Sequence, residues 1–219
     1  SSMSLLVITP QLALQSGKMP ALMWFMLKNI AHLRTFNRIR AQIKQQLGVN
    51  SPGFPDIMSS EGTISICYTS DKIQPSADKM PTIKFVGTSI DPRGDIGDFP
   101  MGHLQGKTVI YISLGTVINL NLDFYKQCIT AFKDSDYCVV MSIGKRTDIN
   151  SLGDIPDNFI VRNFVPQLEV LQHSHLFITH AGVNSVHEGL YYDVPLLLIP
   201  QQLEQAMVAA RIQQLGAGI

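Results

Sequence analysis

The chain has 219 residues, enough for one large domain or two small ones. Its hydrophobic fraction of 45% excludes a disordered polypeptide, and its formal net charge of zero removes any global electrostatic attraction to nucleic acid or to an acidic membrane. Cys67, Cys128 and Cys138 are odd in number, widely spaced and form no C-x-x-C pair, which fits a reducing, cytoplasmic compartment better than a disulfide framework.

From the N-terminus, residues 20–47 predict a long amphipathic helix with Leu22, Met26, Ile30, Leu33, Ile39, Ile43 and Leu47 as its apolar positions. Pro20 suits its first turn and Gly48 its end. Lys18, Lys28, Arg34, Arg38, Arg40 and Lys44 all precede the first acidic residue, Asp56, and read as a solvated helix face rather than a membrane-surface helix. No apolar run approaches the length of a membrane span. Short strands are expected at 63–68 and 82–86. The Gly-, Pro- and Asp-rich stretch that follows reads as a linker, placed at 91–107.

A regular alternation then begins. Strands are expected at 108–113, 137–143, 158–163, 175–179 and 194–199, and helices at 122–133, 166–173, 184–191 and 204–215. Continuous apolar strands separated by helices predict a doubly wound parallel α/β sheet covered on both faces. Such sheets bind ligands outside the carboxyl ends of their strands. Five polar or glycine-rich turns fall there, at 113–116, 142–144, 164–167, 179–184 and 200–205.

The turn at 179–184 is the most specific. An apolar strand runs into His180, a small-residue turn containing Gly182, then Asn184 and Ser185 at the start of a helical pattern, with Glu188 one turn further on. A helix directed in this way offers unpaired N–H groups and its positive dipole end to an anion. Glu188 adds an acceptor for a neighbouring diol, so phosphate beside ribose is the simplest ligand with that polarity. Asn184 and Ser185 also suit a helix cap, a use compatible with anion binding. Ser113 and Thr116 suit a tight turn as well as a phosphate contact. Glu204 at a helix start also suits the dipole. His173, His175, His180 and His187 lack the paired spacing of a zinc site, so no metal is expected. No G-x-G-x-x-G follows the first strand of either half, which argues against a dinucleotide reductase.

The spacing His180-x-Gly182-x-Asn184-Ser185-x-x-Glu188 is preceded by Phe164-x-Pro166-Gln167 and followed by Pro195 and Glu204-Gln205. This pattern resembles the donor signature of UDP-dependent glycosyltransferases of the two-Rossmann-domain (GT-B) type. The text of residues 82–219 is most similar to the bacterial macrolide-type branch. The resemblance implies a C-terminal nucleotide-sugar-binding domain at 108–219 and the tail of an N-terminal, acceptor-binding α/β domain at 1–90, the chain being a segment of a longer protein.

It further implies that Phe164 stacks on the uracil, Gln167 lies near the ribose and Glu188 binds the ribose hydroxyls. His180, Gly182, Asn184 and Ser185 would meet the diphosphate with Ser113 and Thr116, and Glu204 and Gln205 would hold the sugar. The implied reaction is inverting, metal-independent transfer of a hexose from a UDP-sugar to a hydroxyl of a small molecule such as a macrolide or phenolic, with no cofactor. No residue here matches the family's general base, which is expected in the N-terminal domain. Ala181, Val183 and Glu204 depart from the residues commonest in relatives. An alternative is a nucleotide-sugar-binding subunit acting with a separate partner chain.

Overall fold

The computed structural model describes residues 30–51, 64–75, 77–91, 94 and 97–219. The chain divides into two compact units, Ser1–Gly87 and Thr88–Ile219. In the first, helix α1 spans Ile30–Leu47, and strands β1 (Ser65–Cys67) and β2 (Ile83–Phe85) pair in parallel. The portion of the expected helix before Ile30 lies outside the described residues. Among the described residues no helix is long and apolar enough to cross a membrane.

The second unit begins at Thr88, just before the linker expected at 91–107, and takes that stretch in. Phe99 and Leu104 are buried, and Met101–Leu104 form a 3-10 turn. That part of the Gly- and Pro-rich stretch is packed rather than an open spacer, because two of its apolar side chains are withdrawn from water.

The alternation then follows: β3 (Val109–Ser113), α2 (Leu122–Phe132), β4 (Cys138–Ser142), β5 (Phe159–Arg162), α3 (Gln167–Leu171), β6 (Ser174–Thr179), α4 (Val183–Tyr191), β7 (Leu196–Leu198) and α5 (Leu203–Gln214). The strands form one parallel sheet in the order β5-β4-β3-β6-β7. Every residue of β3 is buried, as a central strand covered on both faces requires. Ile110 and Ile112 join Tyr125, Cys128 and Ile129 of α2 in the main apolar cluster. Tyr111 alternates to the other face, where its ring stacks on Phe177 of β6 at 4.8 Å and 12°. The three cysteines are free thiols, and burial pushes Cys128 up to about 11.

Side chains hold the loops at the carboxyl edge. Asn119 Nδ2 donates to Gly115 O at 2.7 Å, and the Tyr125 hydroxyl donates to Asn119 O at 3.0 Å. Asn163 Nδ2 donates to the carbonyls of Gly144 and Thr147, both at 2.8 Å, which ties the turn after β5 to the turn after β4.

Candidate functional site

The sheet order makes β3 and β6 neighbours, while β3 is followed in sequence by β4 on one side and β6 by β7 on the other. Their connections diverge, which makes the carboxyl ends of this pair the switch point at which open α/β sheets form a ligand crevice. Ser113 and Thr179 are the register partners at its floor. Gly115 turns the chain away from β3 with φ +81, and its N–H donates to Ser113 Oγ at 3.3 Å. The Ser113 hydroxyl is thereby engaged in closing the turn and is buried, whereas Thr116 is exposed.

His180 follows Thr179, and its ring lies against two glycines. A Cβ on Gly115 would stand 2.6 Å from Cε1 and Nε2 of His180, and a Cβ on Gly182 would also collide with Nε2. Both positions therefore require glycine for the imidazole to sit where it does. Burial holds His180 below the usual imidazole range, and a ring N–H bond to the Ser113 backbone acts in the opposite direction. The free site thus favours a neutral ring.

The next turn aims α4. Ala181 is buried with φ 64, a conformation uncommon for a residue with a Cβ. Gly182 is the N-cap, in extended conformation (φ -63, ψ 135), and no side chain caps the helix. The helix thus begins at Val183, one residue earlier than the sequence pattern predicts. Asn184 and Ser185 lie inside its first turn, so neither is the cap residue that their type suggests. The first intrahelical bond of this end is Val186 N to Gly182 O at 2.9 Å, which leaves the N–H groups of Val183, Asn184 and Ser185 without intrahelical partners. Asn184 is exposed beside them and Ser185 half-buried.

Glu188 sits on the second turn of α4 and is only 6% exposed. Gln167, the first residue of α3, donates from Nε2 to Glu188 Oε2, and the same nitrogen lies 3.4 Å from Ser185 Oγ. The opposite end of that amide, Oε1, accepts from the Tyr111 hydroxyl at 3.0 Å. Gly189 brings α4 close to the sheet, because a Cβ there would meet Leu196 Cδ2 at 2.7 Å and Phe177 Cδ1 at 3.2 Å.

Phe164 follows β5 and is 59% exposed, while Val165 beside it is 3% exposed. The ring thus stands out from a loop anchored by Asn163, with its face open to solvent. At the far end, Gln205 is buried and its Oε1 accepts from Gln201 N at 2.8 Å, so it braces the loop before α5. Glu204 is half-buried at the helix start, and burial raises its carboxyl above the usual range. The remaining histidines are dispersed. His175 Nδ1 accepts from Val109 N at 3.1 Å at the amino end of the sheet, and His187 is buried within α4. Among the described residues no group of three His, Cys, Asp or Glu is arranged to hold a metal ion.

The structure thus gathers His180, Gly182, Asn184, Ser185, Gln167 and Glu188 around one helix start. The sequence reading missed Tyr111, Asn119 and Gly189, which have no motif of their own.

The family described as UDP-glucoronosyl and UDP-glucosyl transferase matches residues 31–219. The chain belongs to that family. It is similar to the uncharacterised UDP-glucosyltransferase YdhE of Bacillus subtilis, 41% identical over 179 residues, covering 81% of this chain and 45% of that protein. It is also similar to the oleandomycin glycosyltransferase of Streptomyces antibioticus, 33% identical over 167 residues, covering 74% of this chain and 38% of that protein. The solved structure of the glycotransferase of kitacinnamycin superposes with a TM-score of 0.76 at 29% identity, covering 93% of this chain and 52% of that one. The structural relatives are GT-B glycosyltransferases, and the parallel α/β sheet here is of that type. The chain spans less than half the length of the curated relatives it matches.

Proposed function

We propose that this chain supplies the donor-binding half of an inverting, metal-independent glycosyltransferase that moves a hexose from a UDP-sugar to a hydroxyl of a small molecule. The observation that carries this reading is the uncapped start of α4, with His180 on one side and buried Glu188 one turn inward. A diphosphate satisfies the N–H groups of Val183, Asn184 and Ser185 and gains from the helix dipole. His180 and Asn184 adjoin the same helix start, and in this reading Thr116 reaches the diphosphate from the turn after β3. Ser113 acts by holding the turn that carries Thr116. Glu188, braced by Gln167, accepts hydrogen bonds from the ribose diol, and Phe164 stacks on the uracil. Glu204 and Gln205 lie at the edge where the sugar would project.

In the transfer, an acceptor oxygen attacks the anomeric carbon as the bond to the diphosphate oxygen breaks, and the acceptor's proton passes to a general base. Charge grows on the leaving diphosphate. In this reading it is met by preorganised N–H dipoles and His180, a role that a metal ion fills in other enzymes. None of the histidines in this chain is assigned as the base, which is placed in the acceptor-binding half. Similarity to a protein named for oleandomycin supports an acceptor of the macrolide kind, and a phenolic hydroxyl is the other acceptor proposed. Three free cysteines fit a reducing, cytoplasmic setting.

The reading is tested by thermal unfolding with UDP. Ligand at about 100 times its dissociation constant stabilises by about 2.7 kcal/mol, a shift of several degrees. Glu188→Ala should remove most of that shift. A folded parent chain whose melting is unmoved by saturating UDP would overturn the proposal.

A further inference from the structure

We infer that Tyr111 is a positioning residue for the ribose subsite, acting from the core of the sheet through Gln167 onto Glu188. The inference rests on the nucleotide reading given above. Tyr111 is on the central strand and 1% exposed, so it cannot touch a ligand in the crevice. Its hydroxyl lies 3.0 Å from Gln167 Oε1, 56 positions away in sequence. Its ring is fixed by parallel stacking on Phe177, the residue opposite it in the β3–β6 register. Phe177 in turn packs where Gly189 lets α4 approach.

The chemistry of the three groups defines the direction of the chain of bonds. An ionised carboxylate only accepts, so Glu188 requires the NH2 end of the Gln167 amide. That turns Oε1 toward Tyr111, whose phenol must then donate. An amide rotated by half a turn would set its oxygen against the carboxylate. A phenol accepts as well as donates, so the carboxylate sets which way the amide faces, and the Tyr111 bond anchors the side chain in the rotamer that reaches Glu188. Gln167 is half-buried at the first position of a five-residue helix, so without this bond its side chain has rotamers that do not reach Glu188. The bond sits under the floor of the subsite and tunes how well Glu188 is aimed at the two ribose hydroxyls.

The experiment compares UDP with 2′-deoxy-UDP by titration calorimetry on the 219-residue chain and on Tyr111→Phe, with the melting temperature of each. Loss of one buried hydrogen bond should raise the dissociation constant for UDP about five-fold. The constant for 2′-deoxy-UDP should change less, so the preference for the ribose hydroxyl shrinks. A purely packing role would lower the melting temperature and weaken both ligands equally. Gln167→Met keeps Tyr111 and removes the amide, and should shrink the preference in the same way, so the inference stays testable if Tyr111→Phe fails to fold. Retention of the parent preference in whichever of these variants folds would overturn the inference while leaving the nucleotide reading intact. A parent chain that binds no UDP would overturn the nucleotide reading, and this inference with it.

Discussion

The imidazole of His180 occupies the space that a side chain on Gly182 would fill. The same ring lies against Gly115 from the other side of the crevice, so two turns from different strands share one histidine. Substituting either glycine by alanine should displace His180 and weaken UDP binding by about ten-fold or more, with overpacking costing about 1–3 kcal/mol of stability. Gly115→Ala should be the more damaging for stability, because φ +81 adds backbone strain to the clash. Melting curves and UDP titration of the two variants check both the effect and the order.

Proton linkage at His180 follows from its burial. The folded pKa lies below the usual imidazole value of 6.5, so the unfolded chain binds the proton more readily. Stability is therefore full above about pH 6.5 and is lost as pH falls through that value toward the folded pKa. His187, lowered for the same reason, contributes with the same sign. A bound diphosphate reverses the balance at His180 by favouring the charged ring, so UDP affinity should rise as pH falls from 8 to 6. His180→Asn should flatten that rise, measured by titration calorimetry in buffers of different ionisation enthalpy.

Ala181 carries two opposing effects. Its φ of 64 is unfavourable for a residue with a Cβ by about 1–2 kcal/mol, whereas glycine there costs about 0.4–1 kcal/mol through the freer unfolded chain and also gives up a buried methyl. Ala181→Gly should therefore leave the melting temperature nearly unchanged. Ala181→Val should destabilise clearly, since a β-branched side chain suits that conformation worst and has no room in a buried turn. Thermal unfolding of both variants distinguishes this from a position governed by packing alone.

Phe164 is exposed enough that its removal should cost the free chain little. Phe164→Ala should keep the parent melting temperature within about a degree yet weaken UDP about five-fold, the worth of one aromatic–base stack. Phe164→Trp should strengthen binding. Equal affinity in all three chains would remove Phe164 from the base subsite.

The second unit was largely legible because its signals are local. Strands 109–113 and 138–142 are unbroken apolar runs between turns, and α2 shows its 3.6-residue period within a dozen positions. The turn before α4 was legible for the same reason: His180, Gly182 and Glu188 share one strand–turn–helix segment. What escaped depends on register. Tyr111 meets Gln167 only once β3 is in place beneath α3, and nothing in a run of apolar residues marks which hydroxyl will find a partner. Gln205 reads as a sugar ligand by motif, yet its carbonyl also holds the backbone of Gln201, a bond that appears only when the loop before α5 has closed. Asn184 and Ser185 looked like caps because their side chains favour that position, but the turn at Ala181 starts the helix earlier.

The pairing of β3 with β6 sets the time at which this site comes into being. β3 finds β4 after a short crossover, but its other neighbour arrives only after β4, β5 and α3 have been laid down, with Val109 opposite Ser174. Contacts that span so much chain are late and slow to form. His180, Gly115 and the start of α4 meet across that seam alone. During synthesis or refolding, recovery of nucleotide affinity should therefore lag behind recovery of helical signal, making ligand capture a clock for closure of the sheet.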